Sequence, residues 1–321
     1  MKSNEFRKYL AYVKERRGAH IPDYYIEKDY TLSLFLSTWQ SLKETGNVPS
    51  LDALIFKGGT LLIRNYLDYP RISEDLDFTH LDSHALRLIE NPNKREGEIK
   101  KRIIPLLDEI KRVCDRAGFD FEAKRTNLRY VMVRNSRAVY VLTFYYHSLL
   151  TGEEIPVKIE VNFLEGIIHP YTESRINTII ESDVYLKSIG YNLNNISLKA
   201  YSLEEIILEK YRAILTRESF KERDLLDLYL IAKKGTDVFK TQKNIIRKKI
   251  DCGILIAPGL LQNLKKNCSL LHSQGDLESD DDVSRLTLVT INPAQYRQFK
   301  SQLFEKLKEV CAECQSRSTS E

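Results

Sequence analysis

The chain has 321 residues, enough for about two domains at roughly 150 residues each, and its 42% hydrophobic and 29% charged content excludes a disordered polymer. Lys plus Arg (49) barely exceeds Asp plus Glu (45), so the formal charge is only +4 and a histone-like polybasic character is ruled out. With 13 Gly and 9 Pro, collagen-like and Pro-rich architectures are out, and no apolar run approaches the ~20 residues of a membrane span.

Met1 to Phe6 contain no apolar signal core, so the expectation is a cytoplasmic protein with no membrane partner. Residues 5–45 read as helical, with Tyr25, Ile26, Tyr30, Leu32, Leu34, Phe35 and Leu36 as apolar positions and Gly46 beyond the end. Residues 53–56 are a short apolar run stopped by Gly58-Gly59 and read as a buried strand. Residues 60–67 then read as a helix with Thr60 as its N-cap, and 75–79 as a second strand. Residues 84–116 form two helical pieces divided at Asn91-Pro92-Asn93. Residues 119–121, 130–133, 138–146 and 156–163 alternate β-branched or aromatic with polar residues and read as strands, the last two joined by a turn at 151–154.

Residues 192–195 (Asn-Leu-Asn-Asn) are the expected boundary between a first domain, 1–195, and a second, 196–321. Beyond it, 202–218 and 224–234 show helical periodicity, further helices are interrupted by Gly253, Pro258 and Gly259, and 275–282 form an acidic loop. Five cysteines, an odd number, do not read as a disulfide framework. Cys311 and Cys314 form one CxxC pair, but no second pair or nearby His completes a zinc site, and Phe304, Leu307 and Val310 keep helical spacing there. No repeat of 20 to 50 residues is present. Strands mixed with helices, then helices alone, predict an α+β domain followed by an all-helical one.

The chemistry concentrates in Lys57-Gly58-Gly59-Thr60 and in Arg71-Ile72-Ser73-Glu74-Asp75-Leu76-Asp77-Phe78. On a strand, residues two apart share a face, so Asp75 and Asp77 point together while Leu76 and Phe78 point to the other side. Two bare carboxylates at ~4 Å repel by about 4 kcal/mol at an effective dielectric near 20. Either one is protonated or a cation sits between them, and oxygen-only ligands favour Mg²⁺ where phosphates complete the shell. The glycine turn lies between a strand and a helix, where backbone N–H groups bind phosphate, yet it is neither a Walker loop nor GxGxxG. On 156–163 the same period two separates Val157, Ile159, Val161 and Phe163 from Lys158, Glu160 and Asn162, so Glu160 supplies a third carboxylate if this strand neighbours Asp75 and Asp77. Lys210 falls on the apolar stripe Leu203, Ile207, Ile214, and Asp224 shares a face with Leu228 and Ile231. Such a base and acid either pair with each other or close over a ligand.

These residues resemble the nucleotidyltransferase family of AbiEii/AbiGii-type toxins, which includes the MenT toxins. Four pieces carry the resemblance: Ile26-Glu27-Lys28-Asp29-Tyr30; Lys57-Gly58-Gly59-Thr60 with Arg71, Ser73, Asp75 and Asp77; Lys158-Ile159-Glu160; and Glu209-Lys210, Arg212-Ala213, Arg223-Asp224 with Asp227-Leu228-Tyr229. The interval from Gly59 to Asp75 is longer than in the wider polymerase-β-like superfamily, and Glu160 stands where many relatives have Asp. No matching motif follows residue 229.

The resemblance implies a polymerase-β-like nucleotidyltransferase domain with a mixed sheet, followed by a helical domain. It implies transfer of a nucleoside monophosphate from an NTP to an acceptor hydroxyl, the tRNA 3′ end in similar toxins, with a separately encoded antitoxin as partner. In that scheme Asp75, Asp77 and Glu160 hold Mg²⁺ (or Mn²⁺), with Glu160 alternatively deprotonating the acceptor. Lys57, Gly58, Gly59, Thr60, Arg71 and Ser73 bind the nucleotide, Lys210 meets phosphate, and Asp224 completes the site. A protein hydroxyl as acceptor and a non-catalytic NTP-binding module are the alternatives. The basic run Lys240, Lys243, Arg247, Lys248, Lys249 weakly favours nucleic acid over protein, with a solvated helix face as the other reading of the same charges.

Overall fold

The computed structural model describes residues 1–134, 137–191, 193, 195–273 and 287–316. The expected acidic loop at 275–282 and two residues of the 192–195 boundary lie outside the described residues. The chain divides into two compact units: Met1–Leu164 with Tyr171–Tyr201, and Glu165–Pro170 with Ser202–Glu321.

The first unit opens with two helices, α1 (Ser3–Arg17) and α2 (Asp23–Glu44), where the sequence reading has one helical stretch. Gly18, at φ +121°, leaves the helical region, and Pro22 stands at the N-cap of α2, so the break has an ordinary backbone cause. After β1 (Leu54–Lys57) come α3 (Gly58–Leu61) and a π-helical continuation, Leu62–Leu67. Then follow β2 (Leu76–His80), α4 (Ser83–Arg87) and α5 (Pro92–Ala117). Asn91 caps α5 by accepting from the backbone N–H groups of Asn93 and Lys94, with Pro92 at the first helical position. The strands β3 (Val131–Arg134), β4 (Val139–His147) and β5 (Glu154–Asn162) match the alternating segments. Residues 119–121 contribute only an isolated bridge, Asp120 to Tyr145.

Three elements escape the sequence reading: β6 (Thr172–Arg175), α6 (Val184–Ser188) and β7 (Ser197–Ala200). β6 reads Thr-Glu-Ser-Arg and has no apolar residue to mark it as a strand.

Among the described residues, seven strands form one mixed sheet in the order β3-β4-β5-β2-β1-β7-β6. β2 runs parallel to β5 and antiparallel to β1, while β7 runs parallel to β1. α2 covers one face, stacking Phe35 on Phe144 of β4 and setting Trp39 against Phe78 of β2, with centroids 5.1 and 5.5 Å apart. Each such buried ring is worth about 1.5–3 kcal/mol from area alone. The charged Glu27-Lys28-Asp29 run lies buried in this same helix. The Glu27 carboxylate accepts from the Ser148 hydroxyl at 2.8 Å and the Leu149 N–H at 2.5 Å, which fixes the turn between β4 and β5. Asp29 pairs with the buried Arg64 at 2.6 Å, tying α2 to the helix that follows the glycine turn.

The second unit is built, among the described residues, from α7 (Leu203–Thr216), α8 (Glu222–Lys233), α9 (Lys243–Ile256), α10 (Leu260–Ser273) and α11 (Pro293–Ser316). Ser202 caps α7 by accepting from the Glu205 N–H. Gly253 does not interrupt a helix; it lies buried inside α9, where a Cβ would come 3.3 Å from Cδ of Arg212. A disulfide joins Cys268 of α10 to Cys311 of α11, a link that the odd cysteine count gave no reason to expect. Both are buried on facing helices, a proximity no spacing rule reveals across 43 residues.

Candidate active site

The site in the first unit starts from backbone geometry. β1 and β2 pair so that Lys57 stands opposite Asp77, and β2 pairs with β5 so that Asp77 stands beside Glu160. Lys57, Asp77 and Glu160 therefore form one row across three adjacent strands, which lie about 4.8 Å apart. Leu76, Phe78, Ile159 and Val161 are buried on the opposite face, as period two requires. Asp75, two residues before Asp77, is exposed and immediately precedes β2.

The glycine turn is pressed against this row. Gly58 has φ +79°, a conformation that L side chains rarely adopt, and a Cβ there would run into the Asp77 carboxylate. A Cβ on Gly59 would come within 2.8 Å of Nη2 of Arg71 and 3.0 Å of Oγ of Ser73. Thr60 is not the N-cap; Lys57 occupies that position. Instead, the Thr60 hydroxyl lies 2.9 Å from the Ser73 hydroxyl and donates to the Asp75 carbonyl at 2.5 Å, so it holds the approach to β2 against the helix start. Arg71 is buried, donates from Nη1 to the Ile72 carbonyl at 2.6 Å, and has its own carbonyl bonded by the Tyr25 hydroxyl at 3.3 Å. The structure thus brings Lys57, Gly58, Gly59, Thr60, Arg71, Ser73, Asp75, Asp77 and Glu160 into one neighbourhood.

The donor set of Asp75, Asp77 and Glu160 is all oxygen, which suits a hard divalent cation such as Mg²⁺. The glycine beneath Asp77 leaves the turn open where a side chain would fill it. Among the described residues, no three His, Cys, Asp or Glu side chains are drawn together closely enough to form a ready metal group. Shared face and register, rather than a closed cage, are what the fold provides.

In the second unit, the Lys210 ammonium bridges two aspartates of α8, 2.8 Å from Oδ1 of Asp224 and 2.7 Å from Oδ2 of Asp227. Asp224 and Asp227 are fully buried, and Nε of Arg217 stands 3.3 Å from the second Asp224 oxygen without a hydrogen bond to it. Burial pushes the Asp224 carboxyl up, but the Lys210 and Arg217 cations outweigh it and hold the group below the usual carboxylate range. Of the two outcomes open to this acid and base, they pair with each other. Arg217 lies past the end of α7, where helical periodicity gives no signal for it.

The basic run at and before the start of α9 is partly paired. Lys249 is fully buried, 2.7 Å from Glu205, 3.4 Å from Glu165 and 3.7 Å from Glu209, and donates to the Gly166 carbonyl at 2.6 Å. Lys240, Lys243 and Arg247 face Asp237, Glu309 and Asp251 at 3.9, 3.6 and 3.4 Å. Lys249 is a packing residue whose acidic partners come from other parts of the sequence, so it drops out of the run, while Lys248 is exposed.

Comparison with known proteins adds a family. The family model described as "Nucleotidyl transferase AbiEii toxin, Type IV TA system" matches residues 41–314. No curated protein matches the chain. Among solved structures, the chain is similar to MenT4, nucleotidyltransferase toxin Rv2826c from Mycobacterium tuberculosis H37Rv. That match has 18% identity and a TM-score of 0.48, over 90% of this chain and 88% of that one. A candidate nucleotidyltransferase from Helicobacter pylori matches at 15% identity and a TM-score of 0.40, over 92% and 97%. JHP933 from the same organism matches at 16% identity and 0.37, over 88% and 95%.

Proposed function

The chain belongs to the AbiEii family of nucleotidyl transferase toxins of type IV toxin–antitoxin systems, and on that premise we propose that it moves a nucleoside monophosphate from an NTP to the 3′ hydroxyl of tRNA. The observation that carries the site is the row Lys57, Asp77, Glu160, with the Gly58 backbone against the Asp77 carboxylate. Asp75, Asp77 and Glu160 would hold the divalent ion, Mg²⁺ or Mn²⁺. When bound, that ion neutralises phosphate charge and orients the reacting oxygens for in-line displacement.

The chain's own groups do the rest. The acceptor oxygen attacks the α-phosphorus, the bond from that phosphorus to the β-bridging oxygen breaks, and its electron pair leaves with pyrophosphate. In the alternative role to holding the ion, Glu160 takes the acceptor proton. Gly58 and Gly59 let the triphosphate approach the backbone, while Lys57, Thr60, Arg71 and Ser73 position it. Lys210 and Asp224 stay paired with each other within the helical unit. Catalysis of this kind is positioning and charge neutralisation. The partner is a separately encoded antitoxin, and the place of action is the cytoplasm. Among the described residues, no helix is long and apolar enough to cross a membrane.

A protein hydroxyl as acceptor is the second reading, favoured by the paired state of the α9 basic run. Incubating the protein with each α-³²P-NTP, Mg²⁺, total tRNA and a protein extract separates the two. Label on tRNA that weakens steeply with salt supports the RNA acceptor; label on protein alone overturns it.

A further inference from the structure

Glu27, Lys28 and Asp29 are three consecutive charged residues in the buried part of α2. Glu27 and Asp29 have evident work, holding the β4–β5 turn and Arg64. Lys28 does not. It is 9% exposed, and its ammonium donates to one neutral acceptor, the Pro156 carbonyl at 2.5 Å. Among the described residues no carboxylate lies within ion-pair distance of it. A neutral donor such as Gln would satisfy that carbonyl, whereas a buried ammonium with one uncharged partner is expensive. Burial pushes the Lys28 amine down from its ordinary value, which is the sign of that cost.

Its position gives the charge a use. The ionic groups that face it are Glu74 and Asp75, on the approach to β2, and Lys158 on β5. Pro156 precedes Lys158 and Glu160 on β5 and lies before Ile159, where pairing with β2 begins at Leu76. Lys28 therefore stands at the end of β2 and β5 where Asp75 leads into β2, on the approach to Asp77 and Glu160. Were a divalent ion to take up the Asp75 charge, the ammonium would have Glu74 as its remaining acidic neighbour of these groups, and an incoming phosphate could supply the charge it lacks.

We propose that Lys28 is a nucleotide-binding residue whose ammonium contacts the phosphate chain of the NTP and remains with pyrophosphate as it leaves. This rests on the nucleotidyltransferase reading of Asp75, Asp77 and Glu160. The Pro156 carbonyl would keep one of its three protons, leaving two for phosphate oxygens.

The test is calorimetric binding of inorganic tripolyphosphate, and of each NTP, in Mg²⁺ buffer without acceptor. Wild type is compared with Lys28→Gln, which keeps a donor for Pro156 but loses the charge, and Lys28→Arg, which keeps the charge. Lys28→Met, matched in stem length, replaces the Gln variant should that one fail to fold. The expected result is about tenfold or greater weakening of both ligands in Lys28→Gln, with most of the affinity restored in Lys28→Arg. In transfer assays KM for the NTP should rise more than kcat falls. Wild-type affinity in a folded Lys28→Gln or Lys28→Met protein overturns the Lys28 assignment and leaves the nucleotidyltransferase site standing. Wild type that binds neither tripolyphosphate nor any NTP overturns both.

Discussion

Gly58 carries the tightest geometric demand in the first unit, because its positive φ and the Asp77 carboxylate both exclude a side chain. Gly58→Ala should lower stability by about 1–2 kcal/mol from the backbone conformation alone and reduce transfer at least tenfold, since Asp77 must move. Gly46 is the control: its φ is +70° but nothing lies within 4 Å of a Cβ there. Gly46→Ala should show a similar loss in urea denaturation with unchanged transfer. Equal activity in the two variants would separate Gly58 from the site.

At this scale the sequence is informative where the rule is local. Period two places Asp75 with Asp77, and Glu160 with Lys158, without any structure. That Lys57, Asp77 and Glu160 fall in one row depends on the register between strands far apart in the chain, which no local pattern carries. Lys28 shows the same limit. It lies in a recognisable Glu-Lys-Asp run, yet only packing reveals that Asp29 meets a cation while Lys28 meets a neutral carbonyl.

Among the elements, the α7–α8 pair is held by charge as well as by apolar contact. Asp224 has a folded-state pKa below its unfolded value of about 3.9. Its contribution is therefore present above about pH 4 and is lost as pH falls through the folded value. Thermal melts of the second unit should hold their Tm down to about pH 4 and fall below it, and Asp224→Asn should flatten that acid limb. An unchanged acid limb in Asp224→Asn would show that other carboxylates govern it. Breaking the pair by Lys210→Ala should cost about 3–5 kcal/mol, as expected when buried carboxylates lose their cation, although Arg217 remains beside Asp224.

Helices with a clear apolar stripe, such as α5 and α8, were legible, and so were strands rich in β-branched residues. The break between α1 and α2 depends on Gly18 and Pro22, which the apolar pattern of 5–45 overrides. β6 and β7 are short, and polar positions dominate β6, so pairing partners rather than their own residues make them strands.

For the whole molecule, the division into units does not follow the sequence as one cut. Residues Glu165–Pro170, just after β5, group with the helical unit, where the Glu205 carboxylate accepts from the Ile168 and His169 N–H groups. The chain then returns to the sheet for β6 and β7 before Ser202 begins the helices. Within the helical unit, the Cys268–Cys311 link closes a loop of 43 residues, which the chain-entropy relation values at about 4 kcal/mol. Chemical reduction should lower the denaturation midpoint of that unit and expose two additional thiols to alkylation. Identical midpoints before and after reduction would assign the link no stabilising role.

The central claim is that the carboxylates of β2 and β5 act as one catalytic centre. It is met most directly by label transfer from α-³²P-NTP in Mg²⁺, with wild type and Asp77→Ala assayed side by side on the same acceptor. Loss of several kcal/mol of charge stabilisation predicts at least a hundredfold drop at about 1.4 kcal/mol per decade, in a variant that still melts cooperatively. Transfer by folded Asp77→Ala at the wild-type rate would contradict the account.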